Sequence, residues 1–255
     1  MDYTIWARTD IGIKKTINQD SLSVRVFDTV QGKMAFAVLC DGMGGLDRGE
    51  LASATVVKAF MNWADSELPL LCYYPLGENI IRDQWKDLVY NQNAKIMKYG
   101  QRQGINLGTT IVAILLTQTN YYIINVGDSR IYEIADKIMQ ITRDQTVVAR
   151  EVSLGKMTPE QAKRHPKRNV LLQCVGASEV LRPEICFGEI KKDAVYMLCS
   201  DGFRHEVTPQ ELFTYLNPKY LTNSRVMKKH TDYLIELNKK RRETDNISVV
   251  LIRSS

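Results

Sequence analysis

Residues 34–40 are seven consecutive apolar residues that run directly into Asp41, and glycines occupy three of the next four positions. A short continuous apolar run is typical of a strand buried on both faces. Glycines permit a sharp turn that brings the main chain close to a bound group. Because an ionised carboxylate in such a place is costly unless it is paired or bound to a metal, the pattern predicts a cation beside Asp41.

The rest of the apolar pattern predicts a mixture of strands and helices. Predicted strands cover residues 3–8, 21–27, 111–116, 121–126, 130–134, 137–141, 184–188, 194–199 and 247–252. The four from 111 to 141 have short connections, which predicts one antiparallel meander. Helical spacing of apolar residues predicts helices at about 49–68, around Ile81 to Ile96, at about 208–216 and at about 223–240. This order lacks regular alternation and favours the α+β class.

Residues 145–175 interrupt the predicted sheet with an irregular, partly helical stretch. It contains Thr158-Pro159-Glu160-Gln161, a capping box with proline at the first helical position. A second capping box, Thr208-Pro209-Gln210-Glu211, begins a later helix. We expect 145–175 to form a surface flap on a single domain of residues 1–255, because no linker, repeat or charge block divides the chain.

Composition and charge are those of a soluble globular protein, with 44% hydrophobic and 25% charged residues and a net charge of +5. That charge favours acidic partners only weakly and does not indicate nucleic-acid binding. The N-terminal residues lack a signal-peptide pattern, and the apolar runs are too short to span a membrane. Five cysteines without close pairs predict reduced thiols in a cytoplasmic protein. We expect a monomer.

Five acids lie beside apolar runs at predicted strand ends: Asp20, Asp41, Asp128, Asp201 and Asp245. If the fold gathers those ends, the result is an all-oxygen site, which selects Mg²⁺ or Mn²⁺ over zinc or copper. Several acids suggest two ions that share a carboxylate. A water bridging two ions is readily deprotonated and held in line with phosphorus, which suits phosphoester hydrolysis.

Other phosphate chemistries do not fit the sequence. Arg204 follows Cys199 one residue too early for a Cys-x₅-Arg loop, and no Asp-x-Asp pair offers an aspartyl nucleophile. Residues 44–49 have the glycine spacing of a P-loop, but Glu50-Leu51 stands where Lys-Ser/Thr is required. Each acid alone has a simpler explanation, since an Asp-Gly at a strand end is commonly a turn and Asp128 could cap the turn before Arg130.

The ordered set of motifs resembles the metal-dependent protein phosphatases of type 2C, especially the bacterial members, over essentially the whole chain. The motifs are Asn18-Gln19-Asp20, Asp41-Gly42-Met43-Gly44-Gly45, Gly108-Thr109-Thr110, Gly127-Asp128-Ser129-Arg130, Ser200-Asp201-Gly202 and Thr244-Asp245-Asn246. The resemblance implies a four-layer αββα sandwich of two antiparallel sheets. It also implies hydrolysis of phosphoserine and phosphothreonine in proteins, in opposition to a Ser/Thr protein kinase and with the kinase and its substrates as partners.

The resemblance also implies roles for the site residues. Asp41 would bridge both metal ions, Gly42 would coordinate through its carbonyl, and Asp201 and Asp245 would complete the coordination. Asp20 would act mainly through bound water. Asp128, with Asp201, matches the third and weaker metal site of bacterial members. Gln19 and Asn246 would support the ligands.

Three positions depart from the family pattern. Lys15 stands where an arginine usually grips the substrate phosphate, and a lysine cannot form the same bidentate contact. Met43 replaces a histidine that eukaryotic members carry as a suggested general acid, so that protonation of the leaving group would fall to metal-bound water. Gln145 replaces a common histidine before the flap.

Two other interpretations stay open on the sequence alone. One is a pseudophosphatase, a binding module that keeps the fold without turnover. The other is an enzyme dedicated to one phosphorylated partner rather than a broad kinase antagonist. We expect His205 and His230 to be structural and leave a substrate role open for His165. The basic runs 163–168 and 239–242 are interpreted as solvated faces.

Overall fold

The computed structural model describes residues 1–43 and 48–255. The strand predicted immediately before Asp41 is confirmed as β3 (Gly32–Asp41), in which residues 34–40 are all fully buried. Met34, Phe36 and Val38 face one apolar cluster, whereas Ala35 and Ala37 face another. An apolar residue at every position follows from this placement, because β3 is covered on both faces.

In the described part of the chain, ten strands form two antiparallel five-stranded sheets. The first sheet has the order β1-β10-β9-β6-β7, with β1 (Tyr3–Asp10), β6 (Arg130–Ile134), β7 (Ile138–Gln140), β9 (Val195–Cys199) and β10 (Ile247–Ser254). The second sheet has the order β2-β3-β4-β5-β8, with β2 (Asp20–Thr29), β4 (Ile111–Leu116), β5 (Asn120–Val126) and β8 (Glu184–Glu189).

Helices lie on the outer faces of both sheets and in the segment between β7 and β8. They are α1 (Gly49–Ser66), α2 (Leu68–Leu71), α3 (Glu78–Gln103), α4 (Val147–Ser153), α5 (Pro159–Arg164), α6 (Asp201–Arg204), α7 (Pro209–Leu216) and α8 (Ser224–Lys240). Helices α1 to α3 share one apolar cluster with the second sheet, and α6 to α8 share another with the first sheet. A third cluster lies between the sheets. The expected four-layer αββα sandwich is confirmed.

The prediction of a single meander from 111 to 141 is wrong in one respect. Strand β6 pairs with β9 and β7, not with β5, so the chain crosses from one sheet to the other at residues 127–129. Gly127 permits the crossing because its φ is +113°, and a Cβ there would lie 2.6 Å from Thr110. The crossing places Asp128 between the two sheets.

Local signals at helix starts are confirmed. Both predicted capping boxes are present, at Thr158 with Gln161 and at Thr208 with Glu211. The turn expected after the second Asp-Gly is instead the short helix α6, which begins at Asp201. Within the described part of the chain, no helix combines the length and apolar character needed to cross a bilayer. The five cysteines are free thiols.

Strand directions bring the five acids to one end of the sandwich. Asp20 begins β2 and pairs in register with Asp41 at the end of β3. In the other sheet, Asp128 precedes β6, Asp201 follows β9 and Asp245 precedes β10, and the ends of those strands meet at Cys199. Antiparallel pairing therefore gathers acids at one end of each sheet, and the stacking of the two sheets brings the two groups together.

The aromatic cluster under α1 and α3 gives a test of this packing. Trp85 is fully buried, with its ring 5.5 Å from Trp63 and 5.9 Å from Phe36. We expect Trp85→Ala to lower the free energy of unfolding by about 3–5 kcal/mol, because the cavity cannot close. Urea denaturation measures this. The control Tyr74→Ala, at a side chain 76% exposed, should stay within about 0.5 kcal/mol of the parent; equal losses in both variants would contradict the packing.

Candidate metal centre

Asp41 is held at the end of β3 by the Gly108-Thr109-Thr110 motif. Its backbone N–H donates to Thr110 Oγ1 at 2.9 Å, and its carbonyl accepts from Thr110 N at 2.8 Å and Thr109 Oγ1 at 2.9 Å. Met43 N donates to the Gly108 carbonyl at 3.0 Å. These bonds fix the main chain on both sides of Asp41, which explains why two threonines follow a glycine at this point.

Gly42 lies where two other segments approach closely. Its N–H donates to the Gln19 carbonyl at 3.1 Å, and a Cβ would lie 2.5 Å from that oxygen and from the backbone of Gly49. Only glycine fits this space. The remaining glycines of the motif, Gly44 and Gly45, and the rejected P-loop spacing that begins with them lie outside the described residues.

Asp20 is a buried carboxylate at the first position of β2. It is 8% exposed, and neither side-chain oxygen has a hydrogen-bond partner among the described residues. Burial and the charges of Asp201 and Asp245 raise the pKa of Asp20 to about 7, against the opposing effect of the nearby Ser248 and Ser200 hydroxyls. The pKa of Asp41 is raised well above its usual value by burial and by the same neighbours, led by Asp20.

Asp201 and Asp245 come from two loops in close contact. Gly202 allows this contact, because a Cβ there would lie 2.2 Å from the Asn246 carbonyl. Within the described part of the chain, Asp201 Oδ1 is buried without a hydrogen-bond partner. Asp245 forms an ion pair with Lys15, whose Nζ lies 3.0 Å from its carboxylate. Burial opposes the charge on Lys15, but Asp245, Asp41 and Asp201 outweigh burial and raise the pKa of Lys15.

Asn246 and Gln19 form hydrogen bonds that connect the segments around the acids. The Asn246 side chain accepts from Gln19 N at 2.9 Å and donates to the carbonyls of Ile11 and Ile17 at 3.0 and 3.2 Å. This single amide therefore ties the loop that carries Lys15 to the strand end that carries Asp245. Asn18 contributes by accepting from Asp20 N at 3.1 Å.

Asp128 lies beside a buried network of charges that sequence reasoning missed. Arg204 Nη2 donates to the Asp128 carbonyl at 3.0 Å and lies 3.5 Å from its carboxylate. Asp144 forms two hydrogen bonds with Arg130, at 2.7 and 2.6 Å. Burial and the charge of Asp201 raise the pKa of Asp128 to about 6, against the opposing effect of Arg204. The only sequence signal for Arg204 is its place one helical turn after Asp201.

Gln145 stands where the family pattern has a histidine, and its side chain connects two segments of the structure. Its Oε1 accepts from Gly127 N at 2.8 Å and from Gln173 Nε2 at 2.7 Å. The side chain thus joins the crossing that carries Asp128 to the end of the 145–175 segment.

His230 has the structural role that was expected, whereas His205 lies closer to the acids than expected. His230 is structural, as expected, because its Nδ1 hydrogen-bonds the Tyr215 carbonyl. His205 lies at the centre instead of in an ordinary helix face, with Nε2 3.7 Å from Asp201 and Nδ1 3.5 Å from Glu243. Helical spacing from Asp201 could have indicated this contact.

The two basic runs differ in their contacts. In the 239–242 run, Lys239 pairs with Asp10 at 2.7 Å and Arg241 forms two hydrogen bonds with Glu211, at 2.9 and 2.6 Å. In the 163–168 run, His165 Nδ1 accepts from Lys167 N at 3.1 Å.

The donors at this end of the sandwich fit divalent cations. In residues 1–43 and 48–255 no three His, Cys, Asp or Glu side chains already form a geometry that could hold a metal ion. Asp20 and Asp201 nevertheless present three buried carboxylate oxygens that lack partners among the described residues. Hard cations prefer such oxygen ligands, and their charge would remove the repulsion that raises the pKa values of Asp20 and Asp41.

Comparisons with known proteins agree with this arrangement. The sequence model of the family described as protein phosphatase 2C matches residues 13–246. The chain is 30% identical over 246 residues to serine/threonine protein phosphatase PstP of Mycobacterium tuberculosis, which is 96% of this chain and 44% of that longer protein.

Solved structures with the same fold include two phosphatases. Serine/threonine phosphatase Stp1 of Staphylococcus aureus superposes with a TM-score of 0.85 at 27% identity, over 100% of this chain and 96% of that one. The catalytic domain of PstP in complex with two manganese ions gives a TM-score of 0.77 at 29% identity, over 98% and 97%.

The raised pKa of Asp20 predicts a pH dependence for the metal-free protein. The folded state binds a proton at a pKa of about 7, whereas the unfolded chain binds it at about 3.9. The contribution of Asp20 to stability is therefore fully present below about pH 4 and is lost as the pH rises through 7. We expect Asp20→Asn, measured by urea unfolding in EDTA, to recover about 1–3 kcal/mol at alkaline pH.

A matched control separates this effect from general charge changes. Asp136→Asn, at an exposed acid in the turn at the other end of β6, should keep the pH dependence of the parent protein. If Asp20→Asn also keeps that dependence, burial of Asp20 does not control stability.

Proposed function

The chain belongs to the protein phosphatase 2C family, and we propose that Asp20, Asp41, Asp201 and Asp245 serve a centre of two Mn²⁺ or Mg²⁺ ions. The protein is a protein-serine/threonine phosphatase whose activity depends on metal. The observation that supports the proposed centre is a set of three buried oxygens on Asp20 and Asp201, next to Asp41, that have no hydrogen-bond partner within residues 1–43 and 48–255.

We propose the ligand roles that the family resemblance implies. Asp41, fixed by Thr109 and Thr110, would bridge the two ions, and the Gly42 carbonyl would coordinate one of them. Asp201 and Asp245 would complete the set, with Asp20 acting mainly through bound water. When bound, such ions supply an activated water for attack on phosphorus and positive charge that stabilises the transition state.

Lys15 would position the substrate phosphate. Its ammonium group reaches the centre and pairs with Asp245, so it can bind a phosphate oxygen once other positive charge neutralises Asp245. Met43 has no titratable group, so position 43 does not donate a proton to the leaving serine or threonine. Buried main chain around Asp41 and Gly42 keeps the reacting end rigid, which favours a fixed attack geometry.

We also propose the biological setting. The partners would be phosphorylated proteins, including a Ser/Thr protein kinase and its substrates. The protein would act as a cytoplasmic monomer of one domain, with residues 145–175 as a flap. This segment supports the proposal by its position, since Gln145 connects it to the Asp128 crossing.

Loss of Asp41 tests the centre. Protein with Mn²⁺ should release phosphate from a phosphothreonine peptide, and EDTA should stop the release. Asp41→Asn should lower kcat/KM by about a thousandfold, because a ligand shared by both ions contributes several kcal/mol to the transition state. The control Asp136→Asn should keep full activity. Equal activity of Asp41→Asn and the parent would overturn the proposal, and calorimetry without Mn²⁺ binding would favour a pseudophosphatase.

Lys15→Arg tests phosphate recognition separately. Arginine can form two charge-assisted hydrogen bonds to a phosphate where lysine forms one. We expect a KM for the phosphothreonine peptide about three- to tenfold lower than that of the parent. Lys14→Arg, at the exposed neighbouring lysine, is the matched control and should leave KM unchanged. An unchanged KM in Lys15→Arg would show that Lys15 does not bind the phosphate.

A further inference from the structure

Arg204 lies beside Asp128, the acid that the family resemblance assigns to a third metal site. The residue ends helix α6, and its side chain is 10% exposed. Its Nη2 contacts both the carbonyl of Asp128, at 3.0 Å, and the carboxylate, at 3.5 Å. The guanidinium therefore contacts two oxygens of Asp128, and the carboxylate of this residue is the group that a third ion would use.

Asp128 and the neighbouring Asp144 are each already paired with an arginine. Arg130 holds Asp144 through two short hydrogen bonds, and Gln140 donates to the same carboxylate at 3.0 Å. Arg204 lies 3.7 Å from Asp144 but 3.5 Å from Asp128. Two arginines thus face two aspartates, and an additional divalent cation at Asp128 would be repelled by the adjacent Arg204 guanidinium.

Arg204 has little freedom to move away. Its neighbour in α6, Phe203, is fully buried, and the Phe203 carbonyl accepts from the Asn238 side chain at 3.0 Å. The ring of His205 lies 3.7 Å from Asp201, the other acid of a third site. Both acids therefore have a side chain of the same helical turn beside them.

We propose that Arg204 replaces a third metal ion in this protein. Asp128 is then not a metal ligand but a positioning residue, held by Arg204 at the crossing between the sheets. The inference rests on the two-ion centre proposed above and predicts that the protein binds two ions and no more.

Metal stoichiometry tests this directly. Equilibrium dialysis with Mn²⁺, followed by atomic absorption, should give two ions per chain for the parent protein. Asp128→Asn should also bind two, with unchanged affinities. Arg204→Met should bind a third, weaker ion, because the Asp128 carboxylate becomes available. The control Arg150→Met, at an exposed arginine of α4, should keep two.

The outcomes separate the two proposals. Three ions in the parent and two in Asp128→Asn would overturn the role of Arg204, as would two ions in a folded Arg204→Met. If thermal melting shows that Arg204→Met does not fold, the parent and Asp128→Asn decide the question. No bound ion in the parent would instead overturn the two-ion centre on which this inference rests.

Discussion

Electrostatic repulsion between buried carboxylates governs the architecture of this protein. The fold brings Asp20, Asp41, Asp128, Asp201 and Asp245 to one end of the sandwich, where burial and mutual repulsion raise the pKa values of Asp20 and Asp41. Two members have a cation from the chain itself, since Lys15 pairs with Asp245 and Arg204 with Asp128. For the other three acids, the metal ions on which the phosphatase activity depends would supply the compensating positive charge.

The rest of the molecule makes this unfavourable arrangement possible. Three apolar clusters hold the sheets and helices together. Burial of these clusters stabilises the fold and offsets the destabilising repulsion between the like charges. Asp41 stands at the end of a fully buried strand, and threonine hydroxyls and neighbouring backbone groups fix its main chain. The carboxylates consequently cannot relieve their repulsion by large movements of the backbone.

Much of this could be predicted from local sequence. The seven apolar residues before Asp41 indicated a strand buried on both faces, and the capping boxes at Thr158 and Thr208 marked helix starts. The error at β6 has a physical cause: a short connection with a glycine suits both a hairpin and a crossing between sheets. Apolar periodicity is the same in either case, so it could not decide which strand would be the partner of β6.

The sequence by itself determined the class of chemistry, because the number and spacing of acids and glycines select an oxygen-rich metal centre and match one phosphatase family. Only the tertiary structure decided which charges meet. Arg204 lies 76 residues from Asp128, and Lys15 and Asp245 come from opposite ends of the chain. Such contacts depend on how the two sheets stack and where the chain crosses between them, and no local pattern of residues encodes that distance.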